Sequence, residues 1–556
     1  MHAIITSSSN LNLLFIFLLS SIGIIRAATT WGTLSSSLVK QACSGTANYN
    51  SCTSRLGIEF ESAGAQQETH GPFTVIHAAI KLTINEAIVA TELVSKFTTM
   101  TTNFREQSAV HDCMELLDYS VHELGLSLVA MKKAHRLPGG IHRKGDLGAW
   151  LSAALGNQDT CMEGFQGTDG RLKHYIKGSL RQITILVTNV MAMYKRIGKI
   201  APFDPQQQDR YGNESTNDLG VKANIGDSPS WMTSEEHSLV HHAHHPNRMK
   251  VDATVAQDGS GKFRSIMEAI NDAPKHSLRR YVIYVKKGLY KENVEMKKNK
   301  VNILLVGDGM GITIISGDRS FSQGWTTFRT ATFAVSGRGF IARDITFRNT
   351  AGPNNHQAVA LRVDSDHSVF YRCSIEGYQD SLYAHSLRQF YRDCNIYGTI
   401  DFIFGNGNVV IQHSKIIARK PLPYQMVTIT AQGRKYPSQT TGFAIHNSFV
   451  YASTPTYLGR PWKQYSRTVF LQCYLTKHVQ SRGWLEWAGD FALNTLYYGE
   501  YSNYGPGSNI KDRVRWKGYH AIHDAKTAAT FSVRRFINGL TWIPFTGVTF
   551  TADLVK

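Results

Sequence analysis

Two stretches of eleven residues, CSIEGYQDSLY (Cys373–Tyr383) and CNIYGTIDFIF (Cys394–Phe404), repeat each other at an offset of 21 residues. Cysteine, isoleucine, glycine and aspartate recur in register, and a weaker third copy begins at Ser414, 20 residues after Cys394. A repeat of about twenty residues is typical of one coil of a β-solenoid, in which equivalent residues of successive coils stack about 4.8 Å apart. A chance similarity between two strands of a β-sandwich is the alternative interpretation.

The periodicity of the sequence divides the chain into two predicted domains and a linker. Residues 35–199 contain four segments with apolar residues at three- and four-residue intervals, which predict an all-α four-helix bundle. Residues 251–556 contain many short runs of Val, Ile, Phe and Thr, such as YVIYV and VNILLVG, and predict an all-β parallel β-helix. The polar, turn-rich residues 200–250 predict the linker.

The N-terminus predicts a secreted, extracellular protein. LLFIFLL (Leu13–Leu19) opens an apolar run that reaches Ile25, and a pair of alanines follows, as in a signal peptide spanning residues 1–28. Because no Lys or Arg precedes the run, an uncleaved anchor is the alternative. The sequon at Asn213 predicts glycosylation of a secreted chain.

The charge of the chain predicts an acidic partner. Sixty Lys and Arg residues against 42 Asp and Glu give a net charge of +18. Such an excess favours nucleic acid, an acidic membrane or an acidic polysaccharide, although solubility alone is a simpler explanation. No nucleic-acid-binding motif is present in the sequence, so we expect no nucleic-acid partner.

The seven cysteines of the chain allow three predicted disulfides. Cys43 and Cys52 lie nine residues apart in a predicted hairpin, and Cys113 and Cys161 lie on different predicted helices. Stacked coils bring the cysteines of the two repeats, Cys373–Cys394, within the Cα separation that a disulfide tolerates.

The same stacking places Asp380 directly beside Asp401. Two neighbouring carboxyl groups cannot both ionise at low cost, so one keeps its proton while a cation supports the charge of the other. The pair then provides an acid and a nucleophile side by side. A structural ladder of aspartates at the turns of a solenoid is the alternative interpretation.

Further residues supply what such a pair needs. In LGRPW (Leu458–Trp462), Arg460 offers the supporting cation and Trp462 offers a flat face for a sugar ring. Gln357 and Gln379 supply amide donors suited to an oxyanion. The chain has neither a G-x-S-x-G elbow nor zinc-ligand spacing, so we expect no serine-esterase chemistry, metal or cofactor. HHAHH (His241–His245) is interpreted as part of a flexible tether instead of a metal site.

The chain resembles the plant-type pectin methylesterases that carry an N-terminal inhibitor-like pro-region. The resemblance in the β-rich half rests on six ordered blocks: GLYKENV, GFIARDITFRNTAGP, HQAVALR, GYQDSLY, DFIFGN and LGRPW. DCMELLDYSVHEL and WLSAALGNQDTC resemble the invertase and pectin methylesterase inhibitor domain.

This resemblance implies a right-handed parallel β-helix that hydrolyses the methyl esters of galacturonate units in pectin, in the cell wall. It implies that Asp401 is the nucleophile and that Asp380 is the general acid and then the base. The remaining roles it implies are oxyanion stabilisation by Gln379 with Gln357, orientation of Asp401 by Arg460, and substrate binding by Thr327 and Trp462. The expected partners are pectin and either the pro-region of the chain or a separate inhibitor protein, and the expected state is a monomer.

The sequence also departs from the family pattern. The family pattern implies Cys where this chain has Ser414 and Ser where it has Cys473, so Cys473 is the expected odd thiol. WMTSEEHSLVHH (Trp231–His242) has Glu-Glu where a basic processing dipeptide is expected, so the pro-region is either retained, holding the enzyme silent, or removed elsewhere. Two other functions stay open: a pectin lyase or polygalacturonase on the same scaffold, and an inhibitor whose helical half acts on another esterase.

Overall fold

A computed structural model of the chain describes residues 36–46, 48–62, 72–101, 103–136, 144–200 and 250–555. The predicted signal peptide, the predicted glycosylation site Asn213, the histidine tract and the stretch Trp231–His242 lie outside these residues. Within the described part of the chain, no helix has the length and apolar character needed to cross a membrane.

The N-terminal half is helical. Residues 36–43 form a first helical segment. The longer helices are α1 (Tyr49–Ser62), α2 (Pro72–Ser95), α3 (Phe104–Arg136), α4 (Lys144–Gly164) and α5 (Arg171–Ile200). Apolar residues at helical spacing are buried between them, among them Leu180, Ile183 and Val187 on α5. The helices therefore pack around a common apolar core, as the sequence predicts.

Two disulfides tie this helical half together. Cys43 and Cys52 are joined with a Cα separation of 5.7 Å, and Cys113 and Cys161 join α3 to α4 with a Cα separation of 4.5 Å. Both bonds match the pairs predicted from the sequence.

The C-terminal half is a right-handed parallel β-helix of three sheets, and each coil passes through sheets B, C and A in turn. Sheet A contains β1 (Ala253–Val255), β2 (Tyr281–Val285), β5 (Ile303–Val306), β8 (Ile341–Arg343), β11 (Ser368–Tyr371), β14 (Arg388–Arg392), β17 (Asn408–Gln412), β20 (Gly442–His446), β23 (Arg467–Leu471), β25 (Tyr497–Tyr501) and β26 (Tyr519–Ala521). Sheet B contains β3 (Gly288–Lys291), β6 (Thr313–Gly317), β9 (Thr346–Asn349), β12 (Ser374–Glu376), β15 (Asn395–Gly398), β18 (Lys415–Ala418), β21 (Phe449–Ala452) and β24 (Tyr474–Leu475). Sheet C contains β4 (Val294–Met296), β7 (Phe333–Val335), β10 (Leu361–Val363), β13 (Leu382–Tyr383), β16 (Ile403–Gly405), β19 (Val427–Gln432) and β22 (Thr456–Gly459).

The register of the strands is the register of the sequence repeat. Ile375 pairs with Ile396, and Tyr383 pairs with Phe404, both at the offset of 21 residues. The weaker third copy is also in register, because Ile396 pairs with Ile416. The sandwich alternative is therefore wrong, and the predicted stacking of coils is confirmed.

Short helices complete the β-helix. Helix α6 (Ile266–Asp272) begins with a capping box between Ser265 and Glu268, and it packs against the first coil of the solenoid. Near the C-terminus, α7 (Ala525–Ala529) and α8 (Val533–Phe536) belong to a segment that packs on the outer face of sheet A. These elements cover surfaces that would otherwise leave apolar side chains in water.

The predicted Cys373–Cys394 disulfide is wrong, because both residues are free, buried thiols, as is Cys473. The Cβ atoms of in-register neighbours stay about 4.8 Å apart, beyond the roughly 3.5–4.5 Å that a disulfide requires. Each sulfur donates to a backbone carbonyl instead, with Cys394 Sγ 3.3 Å from the oxygen of Phe370. Stacking therefore brings the cysteines side by side without joining them.

Candidate active site

The two aspartates of the repeat lie side by side on the outer surface of the β-helix. Asp380 lies two residues before β13 and Asp401 two residues before β16, and both adopt left-handed backbone conformations with φ of 65° and 51°. The Asp380 N–H donates to the oxygen of Ile400 at 3.1 Å, which links the two turns. The two residues are only 7% and 5% exposed. Aspartate tolerates this backbone region better than most residues, so the turn chemistry suits both positions.

Asp401 accepts hydrogen bonds from two neighbours. Arg460 donates from Nε to Oδ1 at 2.9 Å and from its terminal nitrogen to Oδ2 at 2.6 Å. The hydroxyl of Thr428 donates to Oδ1 at 2.6 Å, and the Asp401 N–H donates back to the same hydroxyl oxygen at 2.9 Å. Charge-assisted, two-pronged bonds of this kind are strong and fix the orientation of the carboxyl group.

Asp380 has the opposite environment. Burial raises the pKa of the Asp380 carboxyl well above its usual range, the charge of Asp401 raises it further, and Arg460 only partly opposes them. Asp380 therefore keeps its proton at a pH where a solvated aspartate has lost it. The two carboxyl groups therefore have different environments, and their roles as acid and nucleophile stay a prediction.

The two predicted glutamines lie on adjacent coils next to this pair. The N–H of Ala358, directly after Gln357, donates to the backbone oxygen of Gln379 at 3.2 Å. Gln379 directly precedes Asp380 and is half-buried, as is Gln357, whose buried Oε1 has no hydrogen-bond partner among the described residues. The structure thus brings both amides to the neighbourhood of the acid.

Thr327 lies further away along the solenoid. It begins a 3₁₀ turn, Thr327–Arg329, that leads into β7, and β10 separates β7 from the β13 strand of the Asp380 coil. Thr327 is half-buried at that level. The structure therefore places it along sheet C instead of beside the aspartates.

Aromatic rings form a floor next to the carboxylates. Tyr383 and Phe404 stack with centroids 4.1 Å apart, and Phe404 meets Trp462 edge-on at 5.8 Å. Trp487, whose side chain is 36% exposed, lies under the Arg460 guanidinium with its ring centroid 4.4 Å from Cζ. Flat apolar faces beside hydrogen-bonding groups are suited to sugar rings.

Sequence reasoning missed Thr428 and Trp487. Thr428 follows Asp401 by 27 residues because the segment between β18 and β19 is longer than in earlier coils, so the repeat does not predict its position. Trp487 lies beyond the last strand of sheet C and has no equivalent in the repeat. Only the three-dimensional register brings either residue to the site.

The helical half covers this site with helix α4. Thr160 of α4 bonds to the His385 ring through Oγ1 and Nε2, 2.9 Å apart. Asp159 pairs with Lys435 at 2.5 Å, and Glu163 pairs with Lys463, the residue after Trp462. Sheet C residues pack in one apolar cluster with the helices, namely Ala334, Tyr383, Phe404 and Ala431.

Helix α3 and the start of α4 extend this contact along the solenoid. Asp112 accepts from Arg329 Nε at 2.6 Å, and the Trp150 ring N–H donates to Asp366 at 3.0 Å. The Tyr119 and Ser336 hydroxyls lie 2.9 Å apart. The helices therefore lie over the outer face of sheet C on both sides of the aspartate pair.

Comparison with known proteins identifies two families in the chain. The pectinesterase family matches residues 252–540, and the plant invertase/pectin methylesterase inhibitor family matches residues 37–193. A pectinesterase/pectinesterase inhibitor of Arabidopsis thaliana is 56% identical over 531 residues, which is 94% of each chain.

The chain belongs to the pectinesterase family.

Other relatives agree with this assignment. The pectinesterase/pectinesterase inhibitor PPE8B of Prunus persica is 49% identical over 493 residues, which is 86% of this chain and 89% of the relative. The pectin methylesterase from carrot is 50% identical and has a TM-score of 0.54; the match covers 98% of the carrot chain and 55% of this one. This pectinesterase is therefore a carboxylic ester hydrolase with an inhibitor-like helical domain, and the lyase and polygalacturonase alternatives are wrong.

Proposed function

We propose that Asp401 is the nucleophile of this pectin methylesterase. Its carboxylate attacks the carbonyl carbon of a galacturonate methyl ester and forms a tetrahedral intermediate, which collapses to an acyl-enzyme and releases methanol. The observation that carries the proposal is the asymmetric pair: Arg460 and Thr428 donate hydrogen bonds to the Asp401 carboxyl group, while Asp380 is buried beside it without such donors in the described part of the chain. A charged, oriented carboxylate next to a proton donor is the arrangement that covalent ester hydrolysis needs.

Asp380 acts first as an acid and then as a base. Its proton moves to the departing methoxide oxygen, so methanol leaves as a neutral molecule. The ionised Asp380 then takes a proton from water, and the resulting hydroxide attacks the acyl-enzyme to regenerate Asp401. The raised pKa of Asp380, caused by burial and by the charge of Asp401, supports this double role.

The amides of Gln379 and Gln357 stabilise the negative oxygen of the intermediate. Both lie on the coil segments beside Asp380, and a neutral amide N–H gains strength when it faces a developing negative charge. The sugar ring binds over the Tyr383, Phe404 and Trp462 rings, where apolar stacking holds it against the carboxylates.

The helical half acts as an internal inhibitor. Helix α4 packs on the aromatic floor and pairs Glu163 with Lys463 beside Trp462, so a pectin chain and α4 cannot occupy the same place. The two disulfides of the helical half fit an oxidising compartment. We accordingly propose a secreted, monomeric enzyme that acts in the cell wall and stays silent while its own helices cover the site.

A chain with a specific protease site in residues 201–249 tests both parts. Methanol release from methylated pectin is measured before cleavage, and again after cleavage and removal of the helices in high salt. We expect activity only after removal, with Asp401→Ala inactive and Asp380→Asn about 10²- to 10⁴-fold slower. A fully active Asp401→Ala enzyme contradicts the nucleophile assignment, and full activity of the uncut chain contradicts the inhibitory role.

A further inference from the structure

Two acidic residues of the helical half form ion pairs with lysines that lie along the cleft. Lys435, just after β19, pairs with Asp159, and Lys463, just after β22, pairs with Glu163. Among the residues that the structure describes, these are the only ion pairs that the two lysines make, and both acids come from helix α4.

Two arginines under the helices differ in this respect, and Lys298, which pairs with Glu123 of helix α3, lies beside β4 at the opposite end of sheet C. Arg329 pairs with Glu115 of helix α3 but also with Glu295 of the β-helix, and Arg388 pairs with Asp366 of the β-helix. Those arginines keep an acid partner when the helices leave. Lys435 and Lys463 do not, so removal of the helices leaves two unpaired cations at one end of the aromatic floor.

We propose that Lys435 and Lys463 bind the free carboxylates of galacturonate units that have already lost their methyl groups, next to the ester under attack. Asp159 and Glu163 occupy these carboxylate positions in the covered enzyme. This inference rests on the proposed function, because it requires that pectin lies along the same cleft.

The position of the lysines fits a carboxylate on a sugar ring. The Lys463 ammonium lies 4.8 Å from the centroid of the Trp462 ring, and the Lys435 ammonium lies 5.4 Å from the centroid of the Tyr436 ring. Each cation therefore stands beside a flat face on which a ring can stack, as uronate recognition requires. A methyl ester is neutral and gains nothing from either lysine, whereas a free carboxylate forms an ion pair.

The order of the strands in sheet C shows on which side of the aspartate pair the two lysines lie. In sheet C, β22 and β19 follow β16 on the side of Asp401, away from β13 and Asp380. The carboxylates are therefore recognised on the Asp401 side of the pair.

The test uses the chain cleaved in residues 201–249, freed of its helices and carrying Lys435→Gln with Lys463→Gln. The carrot pectin methylesterase corresponds to this half of the chain alone, at 98% coverage of its length, so this half of the fold exists as a separate protein. Because the two lysine side chains are 42% and 24% exposed, their replacement leaves the core intact, which thermal melting checks. Lys262→Gln is the matched control, since Lys262 pairs with Asp272 within the β-helix.

Two measurements separate the proposal from the proposed function. Calorimetric binding of polygalacturonate needs no turnover, and we expect the double variant to bind about 2- to 30-fold more weakly, as two partly exposed ion pairs allow. Methanol release should show the same rise in KM on half-demethylated pectin, no change in KM on fully methylated pectin, and an unchanged kcat.

Two other outcomes would contradict either the carboxylate assignment or the proposed function. Polygalacturonate binding and KM equal to those of the Lys262→Gln control overturn the carboxylate assignment. A parent enzyme that binds polygalacturonate through these lysines but releases no methanol overturns the proposed function alone.

Discussion

Helix α4 should be displaced from the active site by a single side chain at Gly148. This glycine faces the β-helix, and a Cβ atom at this position would lie 2.8 Å from Cγ2 of Thr440. One turn later, Ser152 accepts a hydrogen bond from the Thr440 N–H at 3.0 Å, so the helix has little room to shift. Gly148→Leu therefore acts as a wedge between helix and solenoid.

The size of the expected gain in activity follows from the steric overlap between the new side chain and Thr440. Forcing extra carbon atoms into a packed contact costs about 1–3 kcal/mol. That cost shifts the equilibrium between covered and open enzyme by about 5- to 150-fold. The uncut Gly148→Leu chain should release methanol from methylated pectin faster than the uncut parent by that factor, and intact mass must show that the linker is unbroken.

Gly178→Leu is the control for this experiment. Gly178 lies on α5 of the same helical half, and a Cβ atom there meets nothing within 4 Å. Both substitutions replace a helical glycine by a good helix former, so effects on helix stability are matched. Equal activity of the two uncut variants would refute the inference that α4 blocks the cleft.

Three further predictions concern the β-helix. Thr428→Val removes the donor to Asp401 Oδ1 and should lower kcat/KM about 10- to 150-fold. Thr428→Ser keeps a hydroxyl and should retain a kcat/KM near that of the parent. An equal loss of kcat/KM in both variants would show that the hydroxyl does not support catalysis. Burial, with Asp401 adding to it, raises the pKa of Asp380, so the folded chain holds a proton that the unfolded chain releases, and stability falls as the pH rises above about 3.9. Asp380→Asn should therefore melt at a higher temperature than the parent at pH 7, a gap that closes towards pH 4; a lower melting temperature at pH 7 would contradict this. Thiol labelling should modify none of the three buried free cysteines in the native enzyme and all three in the unfolded, unreduced chain, whereas one labelled thiol would indicate a disulfide.

The sequence predicted the part of the site that the repeat controls. Because the offset of 21 residues holds from β12 to β15 and from β13 to β16, it places Asp380 beside Asp401 and Tyr383 beside Phe404. Parallel stacking at a fixed strand spacing converts a sequence offset directly into a contact. No comparable rule exists for a sandwich, in which neighbours along a face come from distant segments.

The sequence failed where contacts depend on more than the offset. The long segment before β19 hid Thr428, whose hydroxyl completes the support of Asp401. The disulfide prediction for Cys373 and Cys394 failed for another reason. The two cysteines lie side by side as predicted, but the side-chain geometry of in-register neighbours keeps both sulfurs as thiols. The docking of α4 was not predictable either, because no periodicity relates the helices to the coils.

Helix α4 and the substrate bind the same surface in our proposal, because the side chains that bind a sugar ring can also bind a helix. Tyr383 and Phe404 are 3% and 4% exposed under the helices, although their rings point away from the solenoid core. Rings that can stack on a sugar are also rings that a helix can bury, and a lysine that can bind a uronate can equally bind a glutamate such as Glu163. The same features therefore make the cleft competent for pectin and vulnerable to α4. Any substitution of the floor that weakens the binding of α4 should also weaken the binding of substrate. Changes on the helix itself, such as Gly148→Leu, should weaken the binding of α4 alone.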